Sequence, residues 1–402
     1  MTLPPTCSGW PERRSLPRMA ERNGRQAPMR IGLLRLTDAA PVAFAATHGL
    51  FAEEGVEVAL SVEPSWANVA DKLAYGLLDG AVMLPPLALA MELGLRPAAT
   101  RLVVPMSLSL NGNSVVLAEE PARAVLEGGV RPPALEAGRR LRHLLEHGRL
   151  RPRLAVVHAW STHDLLLRYW LAASRIPPEE AVDITVMPPA EMPKALAAGH
   201  IDGFCAGAPW GAVAARMGAG RAAVLSSEIW RNHPEKCLAV RADWANRHPS
   251  ALQAVMRALL RAGIACDDPA GAESLATLLS EPGWIGVPTD LVAASLPGGQ
   301  GGEVDRSVFA AHATAFPWRS HARWLATQMA RWRSLPADAV ERAMRAYRPE
   351  LYARAARELG LPVPRSDHKA EGAHDVAWHL AADPTPIAMQ PDCFCDGARF
   401  EA

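Results

Sequence analysis

His163 and Lys236 are two side chains of this sequence that can hold positive charge where an element begins. His163 lies in Ser161-Thr-His163-Asp-Leu-Leu-Leu-Arg-Tyr-Trp170, and Lys236 closes Asn232-His-Pro-Glu-Lys236, just ahead of the apolar run Cys237-Leu-Ala-Val240. Trp66, Asn113 and Gly207 fall at comparable places: Ser65-Trp66 and Gly207 to Trp210 open expected helices, and Asn111-Gly-Asn113 precedes an expected strand. Taken singly these residues read as core tryptophan, helix-start histidine and surface lysine. Taken together they describe a site for a small anion, because helix N-termini present free N–H groups and the positive end of the helix dipole, and His plus Lys add formal charge. Catalysis has no visible machinery: there is no nucleophile elbow, no phosphate loop, no His-Glu-x-x-His and no carboxylate pair that spacing singles out. The expectation is a binding protein, not an enzyme, with no catalytic residue, no metal and no cofactor. Cys393-Phe-Cys395 lacks the two-residue spacing and the second half of a zinc site.

These residues need elements to hold them, and a repeat shows which. Leu73-Ala-Tyr-Gly-Leu-Leu-Asp-Gly80 and Leu196-Ala-Ala-Gly-His-Ile-Asp-Gly203 share one frame, Leu-Ala-x-Gly-x-x-Asp-Gly, each followed by a short apolar run and then proline. Each copy reads as a helix end with a left-handed glycine, an Asp-Gly turn and a buried parallel strand. Two copies imply two similar α/β lobes. Open α/β sheets bind ligands beyond the carboxyl ends of their strands, where Pro85 and Gly207 sit, so the ligand is expected in a cleft between the lobes.

Met29 to Leu36, a helix to about Gly49 and Val56 to Val62 form a βαβ unit; Ser65 caps the next helix. The expected organisation is a disordered leader over 1–28, lobe one from 29–117 plus 237–335, lobe two from 118–236, and a helical segment and irregular tail over 336–402. Bending is expected near 113–118 and 236–240. The Gly-rich stretch Leu296 to Gly302 reads as mobile.

The chain has 402 residues, 42 basic against 42 acidic side chains and six scattered cysteines. A zero formal charge gives no long-range field for nucleic acid or an anionic membrane, so neither is expected as a direct partner. The arginine-rich first 28 residues hold no apolar run of the kind a signal peptide needs, and a cytoplasmic location follows as an expectation.

Several stretches resemble the nitrate- and bicarbonate-binding proteins of ABC importers and their cytoplasmic relatives. They are Leu36-Thr-Asp-Ala-Ala-Pro41, Ser65 to Gly76, Leu110-Asn-Gly-Asn113, His163 to Trp170, Ile201-Asp-Gly-Phe-Cys205, His233-Pro-Glu-Lys236 and Phe316-Pro-Trp-Arg-Ser-His321. The resemblance spans about residues 30 to 332. It implies a two-lobed, periplasmic-binding-protein-like (type II) fold in which Trp66, His163, Gly207 and Lys236 contact nitrate or nitrite, with Asn113 beside them. It also makes Lys236 discriminating, since the bicarbonate branch carries an acidic residue there and recruits calcium. Ala208 departs from the importer pattern, where Glu is usual. Without a signal in view, the chain is most similar to the cytoplasmic nitrate/nitrite sensor of the NasS type. That likeness implies an ANTAR-type, RNA-binding antiterminator partner (NasT-like), held until the anion arrives. An importer's solute-binding component and a small-molecule synthase on the same fold are the other two classes.

Overall fold

Both repeat glycines, Gly76 and Gly199, have left-handed backbones, with φ of 70° and 68°. A computed structural model of the chain describes residues 27–98, 100–148, 151–299 and 304–401. The expected leader over 1–28 thus falls almost wholly outside the described residues, as does the end of the Gly-rich stretch.

Ten strands build two sheets: β1 (Met29–Leu33), β2 (Val58–Val62), β3 (Gly80–Met83), β4 (Leu102–Ser107), β5 (Asn113–Ala118), β6 (Arg153–Val156), β7 (Asp183–Val186), β8 (Gly203–Gly207), β9 (Gly220–Leu225) and β10 (Cys237–Arg241). Their orders are β2-β1-β3-β10-β4 and β7-β6-β8-β5-β9. In each sheet three parallel strands are followed by an antiparallel strand that arrives from the other lobe: β10 pairs antiparallel with β3 and β4, and β5 with β8 and β9. The lobes are therefore two versions of one topology, and the molecule is a two-lobed α/β fold.

The repeat also explains its own Asp-Gly. Arg30 is the second residue of β1 and Arg153 the first of β6, and their guanidinium groups reach across to Asp79 and Asp202 and to the carbonyls of Gly76 and Gly199. The backbone N–H of each arginine donates to the same carboxylate, at 2.9 and 2.7 Å. The following Gly80 and Gly203 lie under the antiparallel strand: a Cβ there would stand 3.2 Å from the Ala239 carbonyl oxygen and 2.6 Å from that of Val116. A side chain at Gly203 has no room.

Three expectations change. Asn113–Ala118 belongs to the second sheet, so lobe two starts at residue 113 rather than 118; an apolar strand reads the same in either sheet, and only its partners decide. The segments free to bend are accordingly the connections 108–112 and 230–236, because 113–118 and 237–240 are locked into sheets. These connections lie side by side, with Asn111 N donating to the His233 carbonyl (3.1 Å), Glu235 N to Ser109 (2.9 Å) and Leu108 N to Lys236 (2.7 Å). Finally, the tail is ordered. It contains β11 (Val363–Pro364) paired with β13 (Ala382–Asp383) and β12 (Trp378–Leu380) paired with β14 (Ile387–Met389). Residues 391–396 then run along the second connection, with Arg231 N donating to Cys393 O (3.0 Å) and Cys395 N to Ile229 O (2.8 Å). Among the described residues no helix is long and apolar enough to cross a membrane.

Candidate functional site

Lys236 is completely buried, at 0% exposure, at the end of the second connection. Lysine is almost never buried without a counter-charge. Here there are two: the Asp38 carboxylate, 2.7 Å from Nζ, and Glu235, whose Oε2 the ammonium also contacts. Burial pulls the lysine towards its neutral form, and Asp38 and Glu235 outweigh it, so the ammonium is held above its ordinary pKa. Asp38 comes from lobe one, on the tight turn Thr37–Ala39 that follows β1. Burial is the main force on its carboxyl, followed by Lys236, which opposes it, and Glu235, which adds to it; the result is a pKa pushed up to about 6.

Lobe two closes over this trio. The helix Thr162–Ala173 begins at Ser161, whose Oγ accepts from Asp164 N at 3.0 Å, and this cap sets His163 in the first turn. His163 Nε2 stands 3.4 Å from Glu235 Oε1, which accepts from Asn113 Nδ2 at 2.9 Å. Asn113 opens β5 opposite Gly207, the last residue of β8. A Cβ at Gly207 would lie 3.3 Å from Asn113 Oδ1 and 3.5 Å from Asp38 Oδ2, so the missing side chain is what lets the two lobes approach here. From lobe one, Ser65 caps the helix Trp66–Ala74 and sets the buried indole of Trp66 with its ring centroid 5.4 Å from Lys236 Nζ. The lobes are also joined by Thr37 N to Ala208 O (3.0 Å) and Trp210 Nε1 to Arg35 O (3.2 Å).

The five residues singled out in the sequence, Trp66, Asn113, His163, Gly207 and Lys236, thus meet at one place between the lobes. One of their expected properties changes. His163 is not a cation: burial, then Lys236, then His233 hold its imidazole well below the ordinary pKa. Sequence reasoning missed Asp38 and Glu235. The signal was present, since a lysine buried at a ligand site requires carboxylates and one sits next to it in His-Pro-Glu-Lys. The hydroxyl of Thr162, the indole N–H of Trp66, Asn113 Oδ1 and both His163 nitrogens are buried without a hydrogen-bond partner. Buried polar atoms in native proteins are nearly always satisfied, so a group of unpaired ones around an ammonium marks a place where a polar ligand completes the bonding.

Below the trio, Asn113 N donates to Ser226 Oγ (3.1 Å), and Ser226 in turn bonds His233 Nε2 (2.7 Å) and the buried Asp305 (2.5 Å). Asp305 also accepts from Gly112 N (3.2 Å) and Ser227 N (3.0 Å), and so ties both connections to the segment after the Gly-rich stretch.

Residues 22–280 match the NMT1-like family. Over 96% of its length the chain is 31% identical to the nitrate/nitrite binding protein NrtA of Synechococcus elongatus, covering 90% of that protein. The chain belongs to the NMT1-like family, in its NrtA-like branch. It is also 36% identical to the nitrate import ATP-binding protein NrtC of Synechocystis, over 88% of this chain and 53% of that protein. The chain thus spans about half the length of that curated relative. Among solved structures, the periplasmic nitrate-binding protein NrtA from Synechocystis matches with a TM-score of 0.77 at 26% identity, covering 93% of this chain and 95% of that one. The two-lobed periplasmic-binding-protein architecture is therefore that of the NrtA-like branch.

Proposed function

We propose that this protein binds nitrate or nitrite in the cleft between its lobes and serves as the solute-binding component of a nitrate import system. The observation that carries the reading is the buried Lys236 ammonium grouped with unpaired polar atoms of Trp66, Asn113 and His163, in a chain alike to NrtA along nearly its whole length. The likeness to proteins named for nitrate binding supports the non-enzymatic reading. Small ligands gain at most about 1.5 kcal/mol per heavy atom, which for nitrate is ~6 kcal/mol, or tens of micromolar. Calorimetric titration with nitrate, nitrite, bicarbonate and sulfate tests it. Micromolar nitrate or nitrite is the expected outcome, and a millimolar constant for both sinks the assignment.

The sensing role is the second reading: a cytoplasmic protein of NasS type that releases an RNA-binding, ANTAR-type antiterminator when the anion binds. It rests on the resemblance of the sequence stretches alone, and the likeness to NrtC, a nitrate import protein, does not add to it. The likeness to NrtA supports the import component better. Affinity capture from nitrate-starved cells separates the two, permease subunits supporting import and an antiterminator supporting sensing.

A further inference from the structure

We propose that Asp38 is a ligand-site residue that takes up a proton as the anion enters, so that the cleft accepts a monoanion together with H⁺ and discriminates against dianions. The proposal rests on the anion-binding reading above and names how that site counts charge.

The count comes from the groups that face one another. The turn Thr37–Ala39 supplies Asp38; the second connection supplies Glu235, Lys236 and His233; the helix Thr162–Ala173 supplies His163. Asn113, Gly207 and Trp66 complete the surroundings and carry no charge. One ammonium therefore stands against two carboxylates, all three buried, and the formal balance before any ligand arrives is already one negative. A monoanion beside Lys236 would make it two negative in a buried site. The cost of such an excess in a dry site is met in proteins by protonation rather than by tolerance of the charge.

Three groups could accept that proton, and geometry chooses among them. Burial, then Lys236 and His233, hold the His163 imidazole neutral even though Glu235 Oε1 stands 3.4 Å from its Nε2. Glu235 has each oxygen engaged by a donor, Asn113 Nδ2 on Oε1 and Lys236 Nζ on Oε2. Asp38 shares that ammonium, comes from the opposite lobe, and faces Glu235 across it; burial has already pushed its carboxyl up to about 6, and an added anion drives it further up. Protonated, Asp38 stops competing for Lys236 and becomes an O–H donor, so the same event frees a cation and adds a hydrogen bond for the ligand. A dianion needs a second proton, and no remaining group is placed to take it.

The test is calorimetric titration of the full chain with sodium nitrate and with sodium sulfate, from pH 5 to 9, in buffers of differing ionisation enthalpy. The wild type should take up close to one proton per nitrate above about pH 7 and almost none at pH 5. Its affinity should fall about tenfold per pH unit through the upper range, as linkage requires when one proton is bound with the ligand. Sulfate should bind at least about a hundredfold more weakly than nitrate. Asp38→Asn, which imitates the protonated carboxyl, should bind nitrate with a flat pH profile and no proton uptake. Nitrate binding without proton exchange in the wild type overturns the proposal, and that measurement needs no variant to fold. Full uptake persisting in Asp38→Asn overturns the assignment to Asp38. Failure of the wild type to bind nitrate or nitrite at any pH removes the anion-binding reading itself, a result distinguishable from the other two.

Discussion

Asn111 and Asn232 lie one on each connection between the lobes, both with left-handed backbones (φ 60° and 58°), and the Asn111 side-chain amide donates to the Asn232 side-chain oxygen at 3.1 Å. Asn232 also donates to the Pro391 carbonyl at 2.9 Å. Asparagine tolerates this backbone better than other residues with a side chain, so two asparagines at equivalent turns hold the connections together without glycine's flexibility. Asn232→Ala should lower stability by about 2 kcal/mol through backbone strain and lost hydrogen bonds, and Asn232→Gly by about 1 kcal/mol through the bonds alone. Urea unfolding checks the order; a glycine variant as damaged as the alanine one refutes the role given to the backbone.

Lys236 serves two purposes that one variant can separate. Lys236→Ala leaves Asp38 and Glu235 buried without their cation and should cost about 3 to 5 kcal/mol of stability. In whatever fraction stays folded, nitrate affinity should fall tenfold to a hundredfold, the worth of a charged hydrogen bond of about 1.5 to 3 kcal/mol. Lys236→Glu should abolish nitrate binding. Retention of affinity within twofold in Lys236→Glu, measured by calorimetry on protein shown to be folded, takes Lys236 out of the site.

Two of the shifted groups of the cleft give stability opposite dependences on pH. His163 has a folded pKa well below the unfolded value of about 6.5, so its contribution is present above that value and lost as pH falls. Asp38 is raised from 3.8 to about 6, so its contribution is complete below 3.8 and lost as pH rises to about 6. His163→Gln should therefore flatten the loss of stability on acidification from pH 6.5, and Asp38→Asn should flatten the loss between pH 4 and 6. Nuclear magnetic resonance of labelled histidine should show no titration of His163 between pH 5 and 8. A midpoint near 6.5 would contradict the burial described here.

The repeated clamp offers a comparison inside one molecule. Asp79 and Asp202 make the same bonds, but the Asp79 side chain is 9% exposed and that of Asp202 40%. Asp79→Ala should cost about 2 to 3 kcal/mol, and Asp202→Ala, already solvated, under about 1 kcal/mol. Equal losses in thermal or urea unfolding would mean that the hydrogen bonds matter irrespective of burial.

The sequence carried the local features best. Gly76 and Gly199 announce left-handed helix ends, Ser65 and Ser161 announce caps, and each does so because the conformation depends on one residue and its near neighbours. The meeting of the five candidate residues was legible for the same reason, each lying at or beside an end of an element. What stayed hidden depends on partners far away in the chain. Nothing in Asn113–Ala118 tells which sheet it joins, and nothing near Thr37-Asp-Ala39 tells that Asp38 will lie 2.7 Å from a lysine almost 200 residues on. The tail was read as irregular because its strands are only two or three residues long and their apolar pattern has no room to repeat.

The strand order has a consequence for how the molecule is made. Lobe two is one uninterrupted stretch, β5 to β9, and a ribosome delivers all of it before β10 exists. Lobe one is interrupted: β10 stands between β3 and β4, yet it follows β4 by the whole length of the other lobe. Until it arrives, β3 and β4 are two neighbours with a missing strand between them, while the inserted lobe already has every strand of its sheet. The earlier-synthesised lobe is therefore the later to finish folding, and its unpaired edges are open to wrong pairing during that wait. Asp38 and Lys236 meet only at the end of this sequence, so the cleft is assembled by the same event that completes lobe one.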